Sequence, residues 1–214
     1  MSIPIPTNVV NLPVGNDLFE SLPQPTLTPV ATCQQFINTV YGKHLQHGIT
    51  GTELKSGAIL HKFATDATFY TESQQQKYFG TCSTDGTLSE RGNPSRTNKA
   101  CVACHAIVCD GVSTKAKAPP VEPSWKIETS AGNFQYGFLI EPTDDFDKVD
   151  QLVTAIIKAG YSDSGARGFN RIFRVPGSYH SKSGFIATLR AWTGKRWALD
   201  DLVADMGVAI ATDE

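Results

Sequence analysis

RIFRVPGSYHSKSG, residues Arg171 to Gly184, sets two arginines, a histidine and a lysine around a proline-glycine turn. Pro176 and Gly177 force a bend between the arginines and the Ser178, His180 and Lys182 that follow. Arginine forks grip phosphate oxygens in pairs, lysine adds a point charge, and a serine hydroxyl can donate a hydrogen bond. The stretch reads as a loop that aims several anion-binding side chains one way. A solvated basic turn is the alternative reading of the same residues.

Working outward, Val149, Leu152, Val153, Ile156 and Ile157 recur at helical spacing, with Asp144 and Asp145 near the start and Gly160 after the end. A strand is predicted from Phe185 to Trp192, then a helix carrying Leu199, Leu202 and Val203 and closed by Gly207. Trp125 to Thr129 and Phe134 to Glu141 predict a hairpin around Ser130-Ala131-Gly132-Asn133. Further strands are expected at Ala58 to Ala64, Tyr78 to Cys82 and Ala103 to Cys109, the last stopping at Asp110-Gly111. Phe36, Ile37, Val40 and Tyr41 mark a helix with Thr32 as N-cap and Gly42 as its stop.

Residues 83–99 read as a polar loop holding Arg91, Arg96 and Lys99, which can lie on template-type phosphates or remain solvated. Residues 1–30 carry Pro4, Pro6, Pro13, Pro23, Pro25 and Pro29 and read as an extended arm; residues 31–214 form the folded domain. Mixed strands and helices without a repeat period point to an α+β sheet domain with helices packed on it.

The bulk properties narrow the function. A net charge of −2 excludes nonspecific coating of nucleic acid, so any such contact comes from a local patch. No apolar run approaches the roughly 20 residues of a membrane span, and the start of the chain does not read as a secretory signal, so a cytoplasmic protein without membrane contact is expected. Five cysteines, an odd number, argue for reduced thiols. CVACH, Cys101 to His105, matches the pattern of haem attachment, but those residues serve better as a central strand. A zinc site on Cys101, Cys104 and either Cys82 or Cys109 is a second possibility, although simple strand alternation puts His105 and Cys109 on one face and Cys104 on the other. Asp110 ends an apolar strand and is a candidate cation ligand, whereas Asp163 in YSDSG reads first as a turn residue.

RIFRVPGSYHSKSG resembles the "RLPGSLHGKTG" segment of the archaeo-eukaryotic primase superfamily, in its phage and plasmid primase-polymerase branch. Two further segments support the resemblance. HAIVCDGVSTK is similar to the family's "LDDVGTK" or "DhD" strand end, and Ser130, Gly132 and Gln135 follow its "SxGxxH" strand with glutamine in the histidine's place. The second acid of the first motif is lacking, because Gly111 and Val112 follow Asp110.

The resemblance implies a primase-polymerase-like, RRM-like catalytic module with an antiparallel central sheet flanked by helices. It implies template-directed nucleotidyl transfer with Mg2+ or Mn2+ on Asp110 and Asp163 as catalytic and metal-binding residues. Ser130, Gln135, Arg171, Arg174, Ser178, His180 and Lys182 would hold the triphosphate, with Lys115 reaching a nearby phosphate. Single-stranded DNA template and nucleoside triphosphates are the implied partners, and a replicative helicase is a further candidate because family members often carry one. The alternative is a degenerate primase fold that binds DNA, a nucleotide or a replication protein without chemistry.

Overall fold

The computed structural model describes residues 29–71 and 74–210. The expected N-terminal arm lies almost wholly outside them. Helix α1 (Pro29–Tyr41) begins three residues before Thr32, so Thr32 lies in the first turn and is not the N-cap. Pro29 is tolerated there because a first-turn N–H has no intrahelical acceptor to lose. After Tyr41 the chain enters a 3-10 turn at Gly42, whose φ of 50° is left-handed.

Strands β1 (Gly48–Glu53), β2 (Ile59–Phe63), β3 (Lys77–Thr84), β4 (Cys101–Val112), β5 (Trp125–Ser130) and β6 (Asn133–Thr143) form the body of the sheet, and α2 (Thr68–Thr71) is a single turn between β2 and β3. Helix α3 (Phe146–Lys158) follows β6; its N-cap Asp145 accepts a hydrogen bond from Lys148 N at 3.0 Å. Short strands β7 (Ile172–Arg174), β8 (Tyr179–His180), β9 (Phe185–Ile186), β10 (Thr188–Trp192) and β11 (Arg196–Trp197) precede α4 (Leu199–Met206). The strand order is β10-β5-β6-β4-β3-β1-β2, with β7 added on β3 and β11 on β6, and β8 pairs separately with β9. Every pairing is antiparallel except β11 with β6. The α+β class with an antiparallel central sheet is therefore what the chain adopts. Among the described residues no helix is long and apolar enough to cross a membrane.

Alternation along β4 and β6 divides the core. Ala106, Val108 and Leu139 face α1 with Phe36, Phe79, Trp125 and Ile127, whereas Ile107, Cys109, Phe138 and Ile140 face α3 and α4. A bulge between Cys104 and Ala106 breaks the alternation expected for this strand. His105 consequently packs against Tyr41 on the α1 side, with ring centroids 5.3 Å apart, while Cys104 and Cys109 share the opposite face. This corrects the sequence expectation, which placed His105 and Cys109 together.

Trp125 is fully buried and meets Phe36 edge-on at 5.1 Å. It lies across its cross-strand partner Gly137, where a Cβ would stand 1.9 Å from the indole Cε2. Only a hydrogen fits between that backbone and the ring. Gly137→Ala should therefore destabilise the domain by about 1–3 kcal/mol through overpacking, read as a lower urea midpoint by tryptophan fluorescence; an unchanged midpoint would show that the ring can move aside.

Candidate functional site

Strands β3 and β4 pair only from Cys82↔Cys104 to Thr84↔Cys101. Beyond that point β4 stays with β6, and β3 turns its freed edge to β7 in the register Tyr78↔Arg174, Phe79↔Phe173 and Gly80↔Ile172. The Thr81 N–H donates to Arg171 O at 2.9 Å, and the Thr81 hydroxyl donates to Phe169 O, so the edge remains satisfied while the sheet parts. A cavity of about 200 Å3 opens in the parting. Tyr78, Ile172, Phe173 and Arg174 line one wall; Asp110, Thr129, Asn133 and Gln135 line the other.

The acidic corner is built from two separate segments. Asp163 N–H donates to Asp110 O at 2.8 Å, and Asp110 N–H donates to Ser162 Oγ at 2.9 Å. Asp163 caps a 3-10 turn by accepting from Gly165 N at 2.7 Å, and its carboxylate pairs with Lys115 Nζ at 2.9 Å. The Lys115 hydrogen bond, followed by the Gly165 N–H, pulls the Asp163 carboxyl below the ordinary aspartate range, and Asp163 in turn raises Lys115. Gly111 has φ 72°, and a Cβ there would stand 3.2 Å from Asp163 Cβ and 3.3 Å from Lys115 Cβ. The next residue, Val112, is wholly buried on the α3 face. Gly111 carries no side chain and Val112 turns into the core, so neither presents a carboxylate to the cavity.

Arg174 spans the cleft. Its Nη2 donates to Gln76 Oε1 at 3.0 Å on the β3 side, and its Nη1 reaches Thr129 O at 3.5 Å on the β5 side. Gln76 Nε2 donates to Ser181 Oγ at 3.0 Å, which ties the loop after β8 to the same wall. Tyr78 OH donates to Glu53 Oε2 at 2.8 Å; burial, then that carboxylate, pushes its hydroxyl up to about 12. Gln135 is 5% exposed, and its buried Oε1 has no hydrogen-bond partner among the described residues. An unpaired buried polar atom costs about 1–3 kcal/mol, so this amide oxygen is a strained point in the cavity wall.

Other expected residues divide. His180 lies close enough to Arg174 and Lys182 for their charges, after burial, to push its imidazole below the usual histidine range, and its Nδ1 meets Ser183 Oγ at 2.6 Å. These surroundings favour its neutral form over the cation counted from the sequence. Lys182 is exposed beside it. Ser178 is fully buried, and its Oγ accepts from Lys77 N at 2.8 Å, fastening the turn to β3. Ser130 closes the hairpin opposite Asn133, and it is Thr129 that lines the cavity, because Trp125, Ile127 and Thr129 are the inward positions of β5. Arg171 is exposed and donates to Gly165 O, away from the cavity lining. Three residues apart along an extended segment, Arg171 and Arg174 fall on opposite faces.

Tyr78, Thr129 and Asn133 join the site without having been singled out in the sequence. The inward alternation of β5 was the signal for Thr129; Tyr78 carried none, because β7 was not foreseen. Cys82, Cys101 and Cys104 cluster on the α3 face as free, buried thiols, where the hydrogen bonds Cys82 donates to Cys101 and Cys104 and then burial raise Cys82. Among the described residues no group of three or more His, Cys, Asp or Glu side chains is arranged to hold a metal. Asp110 lines the cavity, whereas the Asp163 carboxylate is taken up by Gly165 N and Lys115 and is not among the lining residues.

No family model matches this chain, and no curated protein matches it in sequence. Solved structures do match its fold. The primase-polymerase (AEP) domain of cyanophage S-2L superposes with a TM-score of 0.64 at 12% identity, over 82% of this chain and 96% of that one. The catalytic domain of primase RepB′ in complex with initiator DNA superposes with a TM-score of 0.54 at 16% identity, over 82% of this chain and 94% of that one. A second RepB′ primase structure gives the same TM-score and identity, with 62% of its chain covered. The domain thus has the fold of primase-polymerase catalytic domains.

Proposed function

We propose that the cleft binds a nucleoside triphosphate and that the domain carries out template-directed nucleotidyl transfer, extending or starting a strand on single-stranded DNA. The observation that carries this reading is the meeting of Asp110, Gln135 and Arg174 in one cavity. They come from three distant segments that resemble the three motifs of one family, and the fold is shared with a primase crystallised on initiator DNA.

In the reaction a primer 3′-oxygen attacks the α-phosphorus and the bond to the bridging oxygen breaks, releasing pyrophosphate. Negative charge grows on the leaving group. Arg174, held at both ends by Gln76 and Thr129, meets that charge without having to reorganise, with Lys182 adding a second cation from the loop. Gln135 orients a phosphate oxygen or its hydrating water through its amide. Asp110 and Asp163 would hold one Mg2+ or Mn2+, which would supply charge neutralisation at the phosphates. Lys115, paired with Asp163, would reach a nearby phosphate in this reading.

A second reading rests on the acidic corner. Gly111 and Val112 leave the cavity without a further acid, and Asp163 is engaged by Lys115, an arrangement that suits a module binding nucleotide or DNA without chemistry. Primer extension with Mg2+ or Mn2+ separates the two. Product that Asp110→Asn reduces by about 100-fold or more supports the enzyme, as for loss of transition-state electrostatics; no product with either metal and intact DNA binding supports the module.

Arg174→Ala should weaken nucleotide affinity about 10- to 100-fold by calorimetry, the equivalent of one charged hydrogen-bonding group; equal affinity would remove the clamp. Because the free His180 is depressed and a bound triphosphate would raise it, binding takes up a proton there, so affinity should rise as pH falls from 8 toward 6. His180→Gln should flatten that dependence, and a profile identical to the unmodified protein would assign it elsewhere.

A further inference from the structure

Arg96 and Arg171 hold the same loop from two sides. Arg96 Nη1 donates to Asn170 O at 2.8 Å and approaches Asn170 Oδ1 at 3.1 Å, while Arg171 Nη2 donates to Gly165 O. Asn170 Nδ2 returns bonds to Arg96 O at 2.9 Å and Asn98 Oδ1 at 3.2 Å, which places Lys99 beside them. Arg167 is exposed on the same loop. Arg96 and Arg171 thus both hold the 164–171 loop, with Lys99 and Arg167 adjacent to these contacts in sequence, and among the described residues none of the four forms an ion pair.

The nearby acids do not relieve this charge. Asp163 is committed to Lys115, and although the Asp85 N–H donates to Ala100 O and Asp150 interacts with the Phe169 backbone, neither acid pairs with these four cations. Arg96 is half-buried, its Nε has no hydrogen-bond partner among the described residues, and burial followed by the Arg171 charge presses against its proton. Like charges held together by backbone carbonyls, in a protein of net charge −2, call for an anion that bridges them.

We propose that Arg96, Lys99, Arg167 and Arg171 form a phosphate-backbone site for a single nucleic-acid strand, distinct from the nucleotide cavity. Position argues for a strand over an acidic protein. Arg171 donates to Gly165 O in the turn capped by Asp163, and the Asp163 N–H bonds Asp110 O, so a strand seated on Arg171 lies along the turn that leads to the acidic corner of the cleft. The repeating charge of a nucleic-acid backbone matches cations spread along a rim, and main-chain-anchored arginines fix its register without reading bases. The direction of the strand rests on the polymerase reading above; the backbone site does not.

The experiment is fluorescence anisotropy of a labelled 20-nucleotide oligothymidine in EDTA across a salt series, alongside calorimetry of nucleotide binding. Arg171→Ala, an exposed change that spares the fold, should weaken oligonucleotide binding several-fold and reduce the salt slope by about one unit, with nucleotide affinity within about twofold of the unmodified protein. Arg96→Ala should do the same, and its melting temperature checks that Asn170 remains in place. Unchanged affinity and slope in Arg171→Ala overturn the proposal, as does a loss confined to nucleotide binding. Polyglutamate competing as well as unlabelled oligothymidine at equal charge would overturn it in favour of an acidic protein partner. Failure here with Arg174→Ala still losing nucleotide leaves the polymerase reading standing; the reverse pattern leaves only the strand site.

Discussion

The early end of the β3–β4 ladder is the constraint on which the site depends. Three register positions, from Cys82 to Thr84 against Cys104 to Cys101, hold the two halves of the sheet together, and then the strands separate. Separation would expose two rows of backbone donors and acceptors at substantial cost. The chain reduces that cost with new partners: β7 takes the β3 row, Asp110 on the freed β4 edge bonds Ser162 Oγ and the Asp163 N–H, and β6 keeps the opposite edge of β4. A polar cavity can then exist inside a sheet that is apolar on both faces. Any change that let β4 zip fully onto β3 would displace β7 and close the cleft.

The acidic corner obeys a related constraint. Asp110 stands where β4 ends, and the chain leaves it through a glycine at positive φ, returning to the Gly111 carbonyl with hydrogen bonds from Lys115 N at 2.8 Å and Ala116 N at 3.0 Å. That tight turn delivers Lys115 to Asp163 and sends Val112 into the α3 core. An acid at position 111 would keep a left-handed backbone and bring its Cβ to 3.2 Å from Asp163 Cβ and 3.3 Å from Lys115 Cβ, which crowds the corner. The turn that assembles the corner is thus the same feature that limits its carboxylates.

Much of this was legible in the sequence because it follows from local pattern. The period of α3, the hairpin of β5 and β6 and the strand ending at Asp110 each carry their own signal in apolar spacing and turn residues. The meeting of Asp110, Gln135 and Arg174 was legible only through family resemblance, since no spacing rule links residues so far apart. Other features escaped for identifiable reasons. GITGTE, now β1, has two glycines and little apolar character, yet it is buried because Gly48 and Gly51 admit Tyr41 and Ile59 against the backbone. The three residues of β7 are too few to show a period, and without β7 the opposed directions of Arg171 and Arg174 cannot be read. The bulge after Cys104 reversed the faces of β4 at a point where the residues themselves are ordinary strand formers.

Placing Arg174 inside and Arg171 outside also has an electrostatic logic. A cation in a partly enclosed cavity interacts strongly with a phosphate because little water screens it, but a second guanidinium in the same space would raise the cost of the empty site. The chain keeps one arginine there, fastened by the neutral acceptors Gln76 Oε1 and Thr129 O, in a cavity lined by the neutral polar groups of Gln135, Asn133, Thr129 and Tyr78 together with Asp110. The remaining positive charge is moved to the rim, where solvent carries the repulsion and a long polyanion can collect it. A single short strand, by its period of two, performs that separation.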